Sequence, residues 1–147
     1  MYTAAKVPPT CSNDGRAHFS EKSAAVAFEN WNAFCFEVGD VLRLADLGLT
    51  FDTIMDSGVF HVFDDDQRPT YVKSLRSALR PGGTCYLMCF SDRQPGDWGP
   101  RRVSEAELRS AFAEGWTIEP IEPAEFAVAI EPDRVQAWLA TIHRQPD

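Results

Sequence analysis

Two periods run through the hydrophobic pattern of this chain. Period two marks Phe34-Cys35-Phe36-Glu37-Val38 before Gly39-Asp40, and Phe51-Asp52-Thr53-Ile54-Met55-Asp56 before Ser57-Gly58; each predicts a strand stopped by a turn. Val41 to Leu49 joins them as a connector. The helical period covers Ser20 to about Trp31, with Ser20 as N-cap, and returns where Val72, Leu75 and Leu79 fall at i, i+3 and i+7. Asp64-Asp65-Asp66 charges the N-terminus of that second helix, Lys73, Arg76 and Arg80 load its outer side and C-terminal end, and Pro81-Gly82-Gly83 ends it. Thr84 to Phe90 is apolar nearly throughout, the pattern of a strand covered on both faces in a parallel sheet.

A Gly- and Pro-rich loop follows from Ser91 to Arg102. Ser104-Glu105-Ala106-Glu107 is a capping box, and Leu108, Ala111 and Phe112 carry a helix to Gly115. Trp116 to Ile121 predicts a strand broken late by Pro120, Pro123 to Pro132 a connector. Val135 to His143 is short and apolar; periodicity does not separate strand from helix there, and a closing strand is the preferred reading. Residues 1–19, with Pro8-Pro9 and Ser12-Asn13-Asp14-Gly15, read as irregular. Alternation of this kind is that of an open α/β sheet with right-handed crossovers.

Composition narrows the class. The 147 residues make one domain, and 44% apolar content is enough for an ordinary core. With 14 Lys and Arg against 22 Asp and Glu, the net charge of −8 argues against a nucleic-acid partner, which needs a basic face. No run approaches the roughly 20 apolar residues of a membrane span, and Met1 to Pro9 lacks a signal-peptide core, so a cytoplasmic protein without a membrane partner is expected. Cys11, Cys35, Cys85 and Cys89 include no C-x-x-C pair. At about 3.3 Å per strand residue Cys85 and Cys89 lie roughly 13 Å apart, too far for a bridge. His18, His61 and His143 are scattered, so no metal site is expected.

Sheets of this class take ligands outside the carboxyl ends of their parallel strands. That rule selects Asp40, Asp56-Ser57-Gly58 and Ser91-Asp92, three acidic groups expected to form one polar lip. Two of them have a plain alternative, Asp40 as a turn residue and Asp56 as a cap. The loop Pro95 to Pro100 should overhang the same edge, where Trp98 suits an aromatic ligand and Arg101 or Arg102 a substrate anion; solvated surface charge is the competing reading for the arginines.

Phe36-Glu37-Val38-Gly39-Asp40, Phe51 through Phe63, Leu79-Arg80-Pro81-Gly82-Gly83 before a hydrophobic strand, Cys89-Phe90-Ser91-Asp92 and Gly99-Pro100-Arg101-Arg102-Val103, in this order, resemble the class I S-adenosylmethionine-dependent methyltransferases, in a bacterial small-molecule branch. The resemblance covers about residues 20–145. It implies a Rossmann-like sheet and S-adenosylmethionine as cofactor, with transfer of a methyl group to a small-molecule substrate. By position, Asp40 matches the acidic residue that meets the adenine, and Asp56, Ser57 and Gly58 the segment lining the methionine part. His61 stands where a general base would touch substrate, with a packing histidine among Val59, Phe60, Val62 and Phe63 as the alternative.

The family also has a first strand leading to a Gly-rich turn, and a second ending in an acid. Neither has a counterpart here, so the expected sheet is N-terminally truncated, with strands 1 and 2 missing, and residues 20–147 form a partial methyltransferase domain. From the family order 3-2-1-4-5-7-6, an exposed edge on Phe51–Asp56 follows, inviting self-association. Two functions stay open: a methyltransferase, or a non-catalytic remnant acting as an interaction module.

Overall fold

The computed structural model describes residues 38–128 and 134–147. The predicted helix from Ser20 and the boundary at residue 19 lie outside these residues, as does all of the Phe34–Val38 strand except Val38, which is fully exposed and belongs to no strand.

Asp40 opens a 3-10 helix, Val41–Leu47, where a plain connector was expected; its carboxylate accepts the Leu42 N–H at 2.9 Å, the usual N-cap bond. Strand β1, Phe51–Ser57, follows. A single 3-10 turn, Phe60–Val62, leads to helix α1, Arg68–Ala78, and α1 runs directly into strand β2, Leu79–Phe90. Helix α2 is Glu105–Ala111, closed at its N-terminus by the predicted capping box of Ser104 and Glu107. Strands β3, Trp116–Ile118, β4, Glu122–Ala127, and β5, Arg134–Arg144, complete the sheet.

The sheet order is β1-β2-β5-β3, with β4 also paired to β5. β1 and β2 are parallel; β5 is antiparallel to β2, and β3 and β4 are antiparallel to β5. Counted along the expected family sheet, this is the run 4-5-7-6, with β3 and β4 sharing the last place. β1 is the outer strand among the described residues.

Three expectations are corrected. The helix stops at Ala78, and Leu79 is the first residue of β2 because it pairs with Phe51. Pro81-Gly82-Gly83 therefore lies inside the strand as a bulge, taken up where the register jumps between Phe51↔Leu79 and Thr53↔Thr84, with Gly82 at φ 76°. Pro123 to Ala127 belongs to a strand, and the Trp116–Ile121 strand ends at Ile118. Finally, β2 is not covered on both faces among the described residues. Cys85, Leu87 and Cys89 are buried at 0% exposure while Tyr86 between them is 42% exposed.

That alternation locates the core. Cys85, Leu87 and Cys89 sit opposite Ile142, Ala140 and Trp138 of β5, and Ile54 and Asp56 of β1 join the same face. Tyr71, Val72, Leu75 and Ala78 of α1 and Leu108 of α2 pack onto it, with Phe60 and Phe112 filling the space beyond. The other face carries Met55, Tyr86, Met88, Leu139 and Thr141, exposed or half-buried. The free thiols of Cys85 and Cys89 are core atoms, and burial pushes the Cys89 thiol up to about 12. No helix among the described residues is long and apolar enough to cross a membrane.

Leu87→Ala should cost about 2–5 kcal/mol by opening a cavity, whereas Tyr86→Ala on the neighbouring position should cost under about 1 kcal/mol. Urea unfolding of the two variants measures the difference, and equal losses would show that both faces of β2 are packed.

Candidate functional site

Parallel β1 and β2 end side by side. Past Ser57 the chain turns through Gly58, whose N–H donates to the Met88 carbonyl at 2.9 Å and so ties the end of β1 to β2. Gly58 has φ +84°, and a Cβ there would meet His61 Nε2 at 3.2 Å, so both backbone and space require glycine.

The three-carboxylate lip is not formed. Asp56 shares a strand face with Ile54, which sends its side chain to the helix side of the sheet, where it is 2% exposed. One oxygen accepts the Val59 N–H at 2.7 Å; the other accepts the Phe60 N–H at 3.1 Å and the Tyr71 hydroxyl at 2.9 Å. Burial raises the Asp56 carboxyl to about 6 against these three donors, which pull it down. Asp92 accepts the indole N–H of Trp138 at 3.2 Å, on the helix side. Asp40 is spent on its own 3-10 helix and on Arg43 at 3.3 Å, with its side chain half exposed. What reaches the rim near β1 is the backbone at Ser57 and Gly58 and the exposed Ser57 side chain.

His61 is buried, and its Nδ1 accepts the Phe90 N–H at 2.9 Å. Burial, then the positive charges of Arg102 and Arg68, lower its pKa to about 4. The ring is therefore neutral near pH 7 with its hydrogen on Nε2, a donor on the Gly58 side; of the two readings of His61, general base and packing histidine, the geometry is that of the packed ring. Around it stand Phe90 at 4.8 Å between ring centroids and Phe126 at 6.2 Å; Phe90 in turn meets Phe126 at 5.6 Å and Trp98 at 6.2 Å. These four rings come from four segments, the turn after β1, β2, the Ser91–Arg102 loop and β4. Phe126 escaped the sequence reading because it lay in an assumed connector; the Ala124-Glu125-Phe126-Ala127 alternation was its only local signal.

The two arginines part. Arg101 donates to Asp65 at 2.6 Å and to Glu107, and Glu107 also takes buried Arg68 at 3.1 Å. This is a structural network between the approach to α1 and the start of α2, and it leaves the Arg101 charge matched where a free substrate anchor was expected. Arg102 turns into its own loop and lies over Phe90 and Trp98, at 5.3 and 5.6 Å from the ring centroids.

A family model described as thiopurine S-methyltransferase matches residues 13–136. The chain belongs to this family. It is 34% identical over 91 residues to a 2-heptyl-1-hydroxyquinolin-4(1H)-one methyltransferase of Mycobacteroides abscessus, covering 60% of this chain and 40% of that protein. A structure solved in work on the conversion of a disulfide bond into a thioacetal group during echinomycin biosynthesis is 33% identical, with TM-score 0.64, over 75% of this chain and 56% of that one. An S-adenosylmethionine-dependent methyltransferase from Anabaena variabilis shares the fold at 17% identity, TM-score 0.64, over 80% and 61%. The chain thus spans about half the length of the relatives it matches. The methyltransferase resemblance is thereby shown at the level of the family, and the sheet is that of Rossmann-like methyltransferase structures.

Asp56 sets a pH signature. Its folded pKa of about 6 lies above the ordinary carboxylate value of 3.8, so the folded state holds the proton more tightly and this group adds stability as pH falls from about 6 to 4. His61, lowered from 6.5 to about 4, works in the opposite direction over the same window. Asp56→Asn should therefore lose stability more steeply than wild type between pH 6.5 and 4, by on the order of 3 kcal/mol, since two pKa units are worth about that much. Urea midpoints at half-unit steps test this; parallel curves would remove Asp56 from the account.

Proposed function

We propose that this chain supplies the acceptor-side rim of an S-adenosylmethionine-dependent methyltransferase acting on a small planar aromatic molecule, in the cytoplasm. The observation that carries the reading is the meeting of His61, Phe90, Trp98 and Phe126 beside Ser57 and Gly58. Flat apolar rings with one aligned polar donor suit a flat acceptor that needs orientation more than charge neutralisation. The Mycobacteroides abscessus relative is named for a quinolone acceptor of this shape.

The residues present fit the cofactor in part. Ser57 offers an exposed hydroxyl, Asp40 only the lone pairs left on a half-exposed carboxylate that already takes the Leu42 N–H and Arg43, and the aromatic faces suit a cationic sulfur. Among the described residues these would hold it, and Asp56 would act from behind by fixing the turn. Once bound, that group supplies an activated methyl. Methyl transfer is an in-line displacement, so the rings act by holding the acceptor in line and excluding water. His61 Nε2 donates its hydrogen to an acceptor oxygen or nitrogen and fixes which atom faces the methyl; in this tautomer it does not remove the acceptor's proton, which passes to solvent water, so that the acceptor reacts as its anion. We also infer self-association through the outer edge of β1, whose Phe51–Ser57 lacks a strand neighbour on that side among the described residues.

Titration calorimetry with S-adenosylhomocysteine should give saturable binding. Incubation with S-adenosylmethionine and 2-heptyl-1-hydroxyquinolin-4(1H)-one should give a product heavier by one methylene. His61→Phe keeps a ring but drops both the Nε2 donor and the Nδ1 acceptor of the Phe90 N–H; it should lower kcat/KM by at least about tenfold, the worth of one hydrogen bond, and lower the melting temperature as well. A cooperatively folded chain that gives neither heat nor product would overturn the reading in favour of a non-catalytic module. Sedimentation velocity tests the edge, and a monomer at every concentration would reject the association.

A further inference from the structure

The Ser91–Arg102 segment is an Ω-shaped loop. Its ends are clasped: Val103 N–H donates to the Phe90 carbonyl at 2.9 Å and Asp92 N–H to the Val103 carbonyl at 3.0 Å, with Ser91 and Val103 forming a bridge. The loop is also pinned to β5, because Gln136 N–H donates to the buried Gln94 Oε1 at 2.8 Å. Twelve residues with little apolar content do not pack such a loop on their own, and its interior is filled by one guanidinium.

Arg102 Nε donates to the Gln94 carbonyl at 3.3 Å, Nη1 to Pro100 at 2.7 Å, and Nη2 to Trp98 at 2.9 Å and Gly96 at 3.4 Å. Four carbonyls of one loop thus converge on one planar fork, a task that a lysine ammonium cannot copy. The same guanidinium lies over Phe90 and Trp98. Gly99 closes against Phe90, where a Cβ would meet Cε2 at 3.3 Å. Among the described residues no carboxylate takes Arg102, in contrast to Arg101 beside it.

We propose that Arg102 is a positioning residue: an internal strut that holds the 94–100 loop in shape and, by fixing Trp98 edge-on to Phe90, sets how much room the aromatic rim leaves as a pocket for an acceptor. The pocket half of this inference rests on the aromatic rim being the acceptor site; the strut half does not. Because the four carbonyls lie in a half-exposed loop, water replaces the guanidinium when it is removed, and the rest of the fold persists.

The test uses the full chain with Arg102→Ala and Arg102→Lys. Hydrogen-exchange mass spectrometry should show peptides within 91–103 exchanging about tenfold faster in Arg102→Ala, with Arg102→Lys between it and wild type, and with the sheet unchanged. The melting temperature should fall by no more than about 4 °C. With 2-heptyl-1-hydroxyquinolin-4(1H)-one as probe, KM, or Kd where binding is read without turnover, should rise about tenfold in Arg102→Ala while affinity for S-adenosylhomocysteine holds within about twofold. Unchanged exchange overturns the strut. Faster exchange with unchanged KM or Kd overturns its hold on the pocket. A wild-type chain that does not bind the quinolone overturns the acceptor reading and the pocket half with it, and the exchange result then decides the strut alone.

Discussion

A buried carboxylate holds the end of β1 in place. Strand alternation leaves Asp56 no choice of side: Ile54 faces the helices, so Asp56 does too, and a charge turned into a core must be met by donors. Two backbone N–H groups of the following turn and the Tyr71 hydroxyl of α1 meet it. The turn from Ser57 to Phe60 is shaped by that demand. Its shape then brings His61 to the Phe90 N–H, which fastens the turn to the end of β2. One inward side chain thus determines what the rim presents outward, although it is not itself on the rim.

A second consequence is a division of labour by face. Charges near this end of the molecule are consumed internally: Arg68 and Arg101 by Glu107 and Asp65, Asp92 by the Trp138 indole, Arg102 by loop carbonyls. Rings are what remain toward the ligand side. Under the proposed function, a rim of that composition would discriminate by shape and by the direction of one N–H more than by charge, since apolar pockets reject poorly matched outlines while a single aligned donor rejects a misplaced heteroatom.

The sequence made the local devices legible and hid the non-local ones. Ser104 and Glu107 announced their capping box, the Val72 and Leu75 spacing announced α1, and the period-two run of Phe51–Asp56 announced β1, because each depends on neighbours a few residues away. The helix was drawn two residues too long, to Arg80, since Leu79 leaves it to pair with Phe51, 28 positions earlier in the chain. Phe126 was hidden for the same kind of reason: Pro123 and two glutamates dilute the pattern of β4, and only pairing with β5 makes it a strand. Arg101 and Arg102 are adjacent and chemically identical, yet successive side chains point opposite ways. Sequence alone had nothing to separate them.

The same alternation explains why the three acidic strand ends looked like one site. The carboxyl-edge rule says where backbones end, and it is correct here for β1 and β2, which finish side by side. It does not say which face each terminal side chain takes, and a shift of one residue reverses that face. Asp56 is even with the core positions of β1 and Ser57 is odd, so of the segment matched to the methionine part Asp56 is the internal clamp and Ser57 carries the exposed hydroxyl. Parity against the buried positions, Ile54 for β1 and Cys85, Leu87 and Cys89 for β2, is therefore the criterion by which a strand-end residue belongs to the ligand side or to the core. Applied to β2, it assigns Phe90 to the rim face, where the rings meet.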